Sequence, residues 1–253
     1  MQRLLRTTIC GSLLVGAMPA AGATLVFSGG AVSGANGRIF TVGAGSEAIS
    51  VRASAWTLNG SSIAASTLGV FAGGLGVTNG VEDGGGGNSH TIDNLKRSDF
   101  IILHFNKKVM LGNATFSAYQ QSGLNYTDTD ATIGWGNTAM AWNVNLAIPD
   151  LTALTTFVPA GNLYASGNDG AQGTNTRNID PLLYSGNVWI VSSAMGAHNA
   201  DGKIDSFKLN NLFYTTTIPV PEPASWMMMI VGFGMVGSAI RRRRGGLAIA
   251  LPA

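Results

Sequence analysis

The 253-residue chain reads as an all-β protein: a single β-sandwich followed by one C-terminal apolar helix. Two observations predict the sandwich. Only 11% of residues are charged while Gly alone numbers 35, and no long stretch repeats at the helical period. Short runs of strand-forming residues recur between turn signals instead, the pattern of a sandwich or barrel. A third observation predicts the helix. Residues 226–240 carry no charge, and four arginines close them.

The elements follow in chain order. Met1–Arg6 holds Arg3 and Arg6, and Ile9–Met18 is mostly apolar. The small residues Ala21-Gly22-Ala23 then suit signal peptidase, so residues 1–23 are expected to be a signal peptide cleaved before Thr24 after export through the Sec machinery. The single cysteine, Cys10, lies inside that segment. The exported body is therefore cysteine-free, and its stability must come from a core or a bound metal rather than disulfides.

Residues 24–218 form the predicted ectodomain, long enough for one sizeable core. Glu47–Leu58 alternates, with Ile49, Val51, Ala53 and Ala55 on one face and Ser50, Arg52, Ser54 and Trp56 on the other. Asp99–Phe105 is apolar on both faces and reads as a central strand, with Asn106-Lys107-Lys108 turning the chain into Val109–Leu111. Asp201-Gly202 signals a hairpin turn. In Lys203–Leu209, Phe207 and Leu209 are expected inward, Ser206 and Lys208 outward. Gly84–Gly87 and Ser166–Gly173 read as loops. No repeat of fixed period occurs.

Charge must be read by segment. Nine of the 15 basic residues and twelve of the 13 acidic ones lie within 24–218, so the body stands near −3 although the whole chain is +2. No nucleic-acid-binding surface is implied.

Pro221-Glu222-Pro223 opens the tail. Proline fits neither a helix interior nor a central strand, so residues 219–225 form an extended, accessible linker. Trp226 begins the apolar run where an indole would sit at a membrane interface. As a helix, 226–240 would span roughly 22 Å at about 1.5 Å per residue. The hydrocarbon core is about 30 Å thick, and snorkelling arginines make up the difference. Arg241, Arg242, Arg243 and Arg244, in the basic tail 241–253, would keep that end cytoplasmic.

This tail resembles the PEP-CTERM sorting signal. The matching residues include Pro221, Glu222, Pro223, Trp226, Gly232, Phe233, Gly234 and Arg241–Arg244. The resemblance implies recognition by exosortase, a membrane-embedded cysteine transpeptidase, and removal of the helix near Pro-Glu-Pro. It implies an inner-membrane intermediate and then the cell surface or extracellular space. Within the body, Leu75-Gly76-Val77-Thr78, Glu82-Asp83-Gly84, His90-Thr91-Ile92-Asp93-Asn94 and the strand from Asp99 follow the order of ectodomains in exosortase-dependent surface proteins. Ile204-Asp205-Ser206-Phe207-Lys208-Leu209 is similar to the last strand of jelly-roll carbohydrate-binding modules, hence a jelly-roll-like sandwich.

A catalytic set does not emerge. The body has no cysteine and no Gly-x-Ser-x-Gly elbow, and His90, His104 and His198 are scattered without zinc-ligand spacing. His104 is expected to be a hydrogen-bonded structural histidine, and His90 and His198 solvated loop residues. Calcium is the plausible inorganic partner, with Glu82, Asp83, Asp93 and Asp205 as candidate ligands. The plainer reading makes these acids turn and cap residues. Trp56, Trp135, Trp142 and Trp189 either pack in the core or stack on sugars. The resulting expectation is a non-enzymatic surface protein of the envelope or of a biofilm and extracellular polysaccharide matrix. The alternatives are a carbohydrate-binding module on the same anchor and a secreted hydrolase.

Overall fold

The computed structural model describes residues 22–27, 36–81, 90–166, 174–178, 184–216 and 230–237. The chain divides into two units, Ala21–Ile218 and the combined termini Met1–Ala20 and Pro219–Ala253. The first is all-β, as the sequence predicts. Its strands are β1 (Ala23–Val26), β2 (Gly37–Val42), β3 (Ile49–Asn59), β4 (Ser62–Ala65), β5 (Thr67–Phe71), β6 (Gly74–Thr78) and β7 (Ile92–Asp93), followed by β8 (Ser98–Ala118), β9 (Ala131–Gly136), β10 (Leu163–Ser166), β11 (Thr174–Asn178), β12 (Gly186–Ser193) and β13 (Ser206–Thr215). One short helix, α1 (Leu151–Phe157), joins them.

These 13 strands form one continuous antiparallel sheet. Strand β8 makes it continuous. Its first half pairs with β3 and β12, and its second half pairs with β13 and β11. Expectation and structure differ here, because Asn106-Lys107-Lys108 does not turn the chain. The strand runs through all 21 residues. Asn106 replaces the missing ladder with its side chain, accepting from the Ser50 N–H at 3.0 Å and donating to the Ala48 carbonyl at 3.1 Å. Lys107 reaches the Ser46 carbonyl at 2.6 Å. Polar residues that usually cap turns here carry a strand from one half of the sheet to the other.

The main core lies along one face. Ile49, Val51, Ala53 and Ala55 of β3, Ile101, Leu103 and Phe105 of β8, and Phe207, Leu209 and Leu212 of β13 share one buried cluster. The period-2 alternation of β3 and β8 selects these residues, because successive strand side chains point to opposite faces. The alternate residues Phe100 and Ile102 face a second cluster, closed by Leu146, Ile148 and, from α1, Leu154 and Phe157. Asp150 caps α1, its side chain accepting from the Ala153 N–H at 2.8 Å. Strand β8 is therefore covered on both faces, which explains its nearly unbroken apolar run.

Strand β13 departs from simple alternation. Phe207 and Leu209 are buried as expected, but Ser206 and Lys208 are buried too. The Lys208 ammonium lies 4.4 Å from the Phe71 ring centre and 4.2 Å from that of Tyr119, so aromatic faces replace water. His104 is also corrected. It is buried, and neither ring nitrogen has a hydrogen-bond partner among the described residues. Desolvation, then the nearby Arg52 charge, lowers its pKa. His90 and His198 hydrogen-bond Thr78 and Thr132 rather than standing free.

Both ends of the body leave from one place. Strand β1 pairs antiparallel with β13, Ala23 opposite Tyr214 and Val26 opposite Asn211. In the second unit, residues 230–237 are helical. Among the described residues no helix is long and apolar enough to cross a membrane.

Candidate cation site and sorting segment

Three stretches distant in sequence meet at the start of β13. The block His90-Thr91-Ile92-Asp93-Asn94 supplies the first. Ile92 is fully buried, pairing with Phe207, and His90 stacks on Phe71 with ring centres 5.4 Å apart. Thr91 donates to the Asp93 carboxylate at 2.7 Å. Gln121 donates to Thr91, Asp93 and Ser206 at 2.8, 3.1 and 2.8 Å. The other Asp93 carboxylate oxygen accepts from the Leu95 N–H at 3.1 Å. Asp93 is thus committed to closing this turn, as aspartates in turns commonly are.

Asn94 grips Asp205 twice. Its amide donates to Asp205 Oδ2 at 2.7 Å, and its carbonyl oxygen accepts from the Asp205 N–H at 2.9 Å. Asp205 is 0% exposed. Its Oδ2 also accepts from the Ala194 N–H at 3.2 Å, whereas Oδ1 has no partner of hydrogen-bond geometry among the described residues. Burial pushes the Asp205 carboxyl up to about 8, and the charges of Asp128 and Asp130 add to the effect.

Those aspartates come from the stretch before β9. Carboxylate oxygens of Asp128, Asp130 and Asp201 lie within 4.8 Å of one another. Asp128 and Asp130 are buried, and the backbone holds them. The Asp128 carbonyl accepts from the Ser206 N–H at 2.8 Å, and the Asp130 carbonyl from the Ala194 N–H at 3.1 Å. Lys203 is the nearby cation, 2.9 Å from Asp201 and 3.6 Å from Asp128. Desolvation and the neighbouring Asp201 raise the Asp128 pKa, while its hydrogen bonds with Lys203 lower that of Asp201. Asn199 sits in the same loop, donating to the Lys203 carbonyl at 2.9 Å, with its Oδ1 buried and unpartnered among the described residues. An open cleft of about 350 Å³, lined by Asn94, Ala194, Asn199, Gly202 and Lys203, adjoins this region.

Of the ligands read from the sequence, Asp205 lies beside this cluster, near enough for the charges of Asp128 and Asp130 to act on it, and Asp93 serves the neighbouring turn. Glu82 and Asp83 lie outside the described residues. Sequence reading missed Asp128 and Asp130 and took Asp201 as a turn residue rather than a ligand. Thr127-Asp128-Thr129-Asp130 carried a usable signal, since acids two apart on an extended chain share one side.

The tryptophans divide. Trp56 and Trp189 are buried, and Trp142 is half-buried in a loop. Trp135, half-buried on β9, stacks on Tyr184 with ring centres 3.7 Å apart.

In the tail, Gly232, Phe233 and Gly234 fall on the helix at 230–237. Its apolar side chains are bare, Ile230 at 69% and Phe233 at 72% exposure. Ala21, Pro221, Glu222, Pro223, Trp226 and Arg241–Arg244 lie outside the described residues.

An all-β body followed by such a tail defines the class: a β-protein bearing a C-terminal sorting signal. The particular signal is the PEP-CTERM protein-sorting motif, whose family profile matches residues 219–244. The motif implies exosortase processing and export to the cell envelope or surface. No curated protein and no solved structure matches the chain.

Proposed function

We propose that this protein is a non-catalytic structural or adhesive component of the cell envelope or of an extracellular polysaccharide matrix, delivered by exosortase through a transient inner-membrane intermediate. The PEP-CTERM motif at 219–244, placed directly after a self-contained β-body, carries the reading. Two features support the membrane step. The helix at 230–237 exposes its apolar residues, which in water would be unfavourable by about 25 cal/mol per Å² of apolar surface. Four arginines follow it and would hold that end on the cytoplasmic side.

The pairing of β1 with β13 suits processing at both ends. Cleavage after Ala23 leaves Thr24, Leu25 and Val26 paired opposite Phe213, Leu212 and Asn211. Cleavage near Pro221 falls beyond the end of β13 at Thr215. Among the described residues the first cut removes from the body only Gly22 and Ala23, which packs at the edge of the core, and neither cut removes a fully buried one. Mass spectrometry of surface and released material tests the reading. The mature form should lack residues 226–253, and replacing Pro221-Glu222-Pro223 with alanines should leave the protein in the inner membrane. Abundant peptides from 226–240 in released protein would refute it.

Glycan binding is the second reading, favoured by one observation. Tyr184 is 38% exposed and rests on Trp135, an aromatic pair at the sheet surface of the kind that stacks on sugar rings. A glycan array separates the two readings. Binding abolished by Tyr184→Ala would favour the module, and an array without binders would favour the structural role.

A further inference from the structure

We propose that Asp128, Asp130, Asp201 and Asp205, with the side-chain carbonyl of Asn199, form a calcium site that clips the segment before β9 to the loop joining β12 and β13. Dimensions come first. Calcium holds oxygen ligands at about 2.3–2.6 Å, so oxygens on opposite sides of one ion stand roughly 5 Å apart. The three mutually close carboxylates span 4.8 Å, a separation that one ion bridges.

The independent observation is Asp205. A side chain with no exposure leaves Oδ1 without a partner of hydrogen-bond geometry among the described residues, beside two other buried acids. An uncompensated buried carboxylate oxygen costs several kcal/mol as a rule, and a cation removes that cost. Oδ2 cannot serve both ends, because Asn94 and Ala194 already occupy it. Asn199 repeats the pattern with a second buried oxygen in the same loop that has no partner among the described residues. Lys203 supplies one positive charge against four acids, and its half-exposed side chain can swing into solvent when a stronger cation arrives.

Donor chemistry selects the ion. Every donor is an oxygen, four from carboxylates and one from an amide, which suits a hard cation rather than zinc or copper. The donors come from two irregular loops and one strand start, so the shell is uneven. Calcium accepts such a shell, whereas magnesium demands a near-ideal octahedron at about 2.0–2.1 Å. Asp201 and the cleft beside Lys203 leave the site open to solvent for entry.

Two measurements on the full chain in detergent test the proposal. After chelation, 10 mM calcium should raise Tm by roughly 5–10 °C, the size expected for a ligand about 100-fold above its Kd on a body of this length. Equal magnesium should give less than half of that shift. Terbium provides a local readout, because the Tyr126 hydroxyl accepts from the Ile204 N–H at 3.2 Å, next to Asp205. Tyrosine-excited terbium emission should appear and be displaced by calcium. Asp201→Asn changes an exposed residue and should fold normally, yet weaken calcium binding at least tenfold. Asp128→Asn with Asp130→Asn should abolish it. An unchanged Tm in calcium, an equal response to magnesium, or calcium affinity retained in Asp201→Asn would overturn the proposal.

Discussion

Replacing Asn94 with alanine should destabilise the body far more than a loop asparagine normally would. Three hydrogen bonds are lost: the 2.7 Å bond to Asp205 Oδ2, the 2.9 Å bond from the Asp205 N–H, and a long 3.4 Å bond to the Ala194 carbonyl that adds little. Asp205 has no exposure, so water cannot replace them. A buried backbone N–H left unsatisfied costs about 1–3 kcal/mol, and losing a hydrogen bond to a carboxylate about 1.5–3 kcal/mol. The Ala194 N–H remains on Oδ2 and offsets part of this loss. The sum is about 3–4 kcal/mol. For a body of this length each kcal/mol shifts Tm by roughly 2–4 °C, so the fall is about 6–16 °C. Thermal unfolding followed by circular dichroism at about pH 9, where Asp205 is ionised, with chelator present, measures it. The exposed Asn59→Ala is the control and should change stability by no more than about 0.5 kcal/mol. A loss below about 1 kcal/mol in Asn94→Ala would show that water reaches Asp205, and the reasoning about its burial would fail.

Two further outcomes concern the fold. The folded His104 has a pKa below that of the unfolded chain, through burial and then Arg52, so folding favours its neutral form. Stability is then fully present above about pH 6.5 and declines as pH falls through the folded value. His104→Leu should flatten that part of a stability–pH curve, and an identical acid slope in the variant would exclude His104 as the cause. Gly136→Ala should disrupt folding, because a Cβ there would stand 1.7 Å from the Phe157 carbonyl oxygen, and that backbone belongs to α1. A soluble variant with native Tm would refute the close packing of β9 against the end of α1.

What could be read from the sequence follows the range of the interaction. The alternation of Ile49, Val51, Ala53 and Ala55 is a local consequence of strand geometry, and all four lie in the main core. The PEP-CTERM tail was equally legible, because a sorting signal acts as a linear peptide whose order and charge are its information. The run at Asp99–Phe105 announced a strand covered on both sides but not what covers it. Only the tertiary structure decided that α1 closes one face and that β8 continues past Asn106 into the second half of the sheet. There the bond that Asn106 accepts from the Ser50 N–H and the one it donates to the Ala48 carbonyl outweighed a turn-like composition. The acidic cluster lay beyond sequence reading for the same reason. Asp128 and Asp130 meet Asp201 and Asp205 only because the Ser206 N–H binds the Asp128 carbonyl and the Ala194 N–H binds that of Asp130. Convergence of side chains some 70 residues apart is set by backbone pairing across the sheet, and local sequence preference carries no record of it.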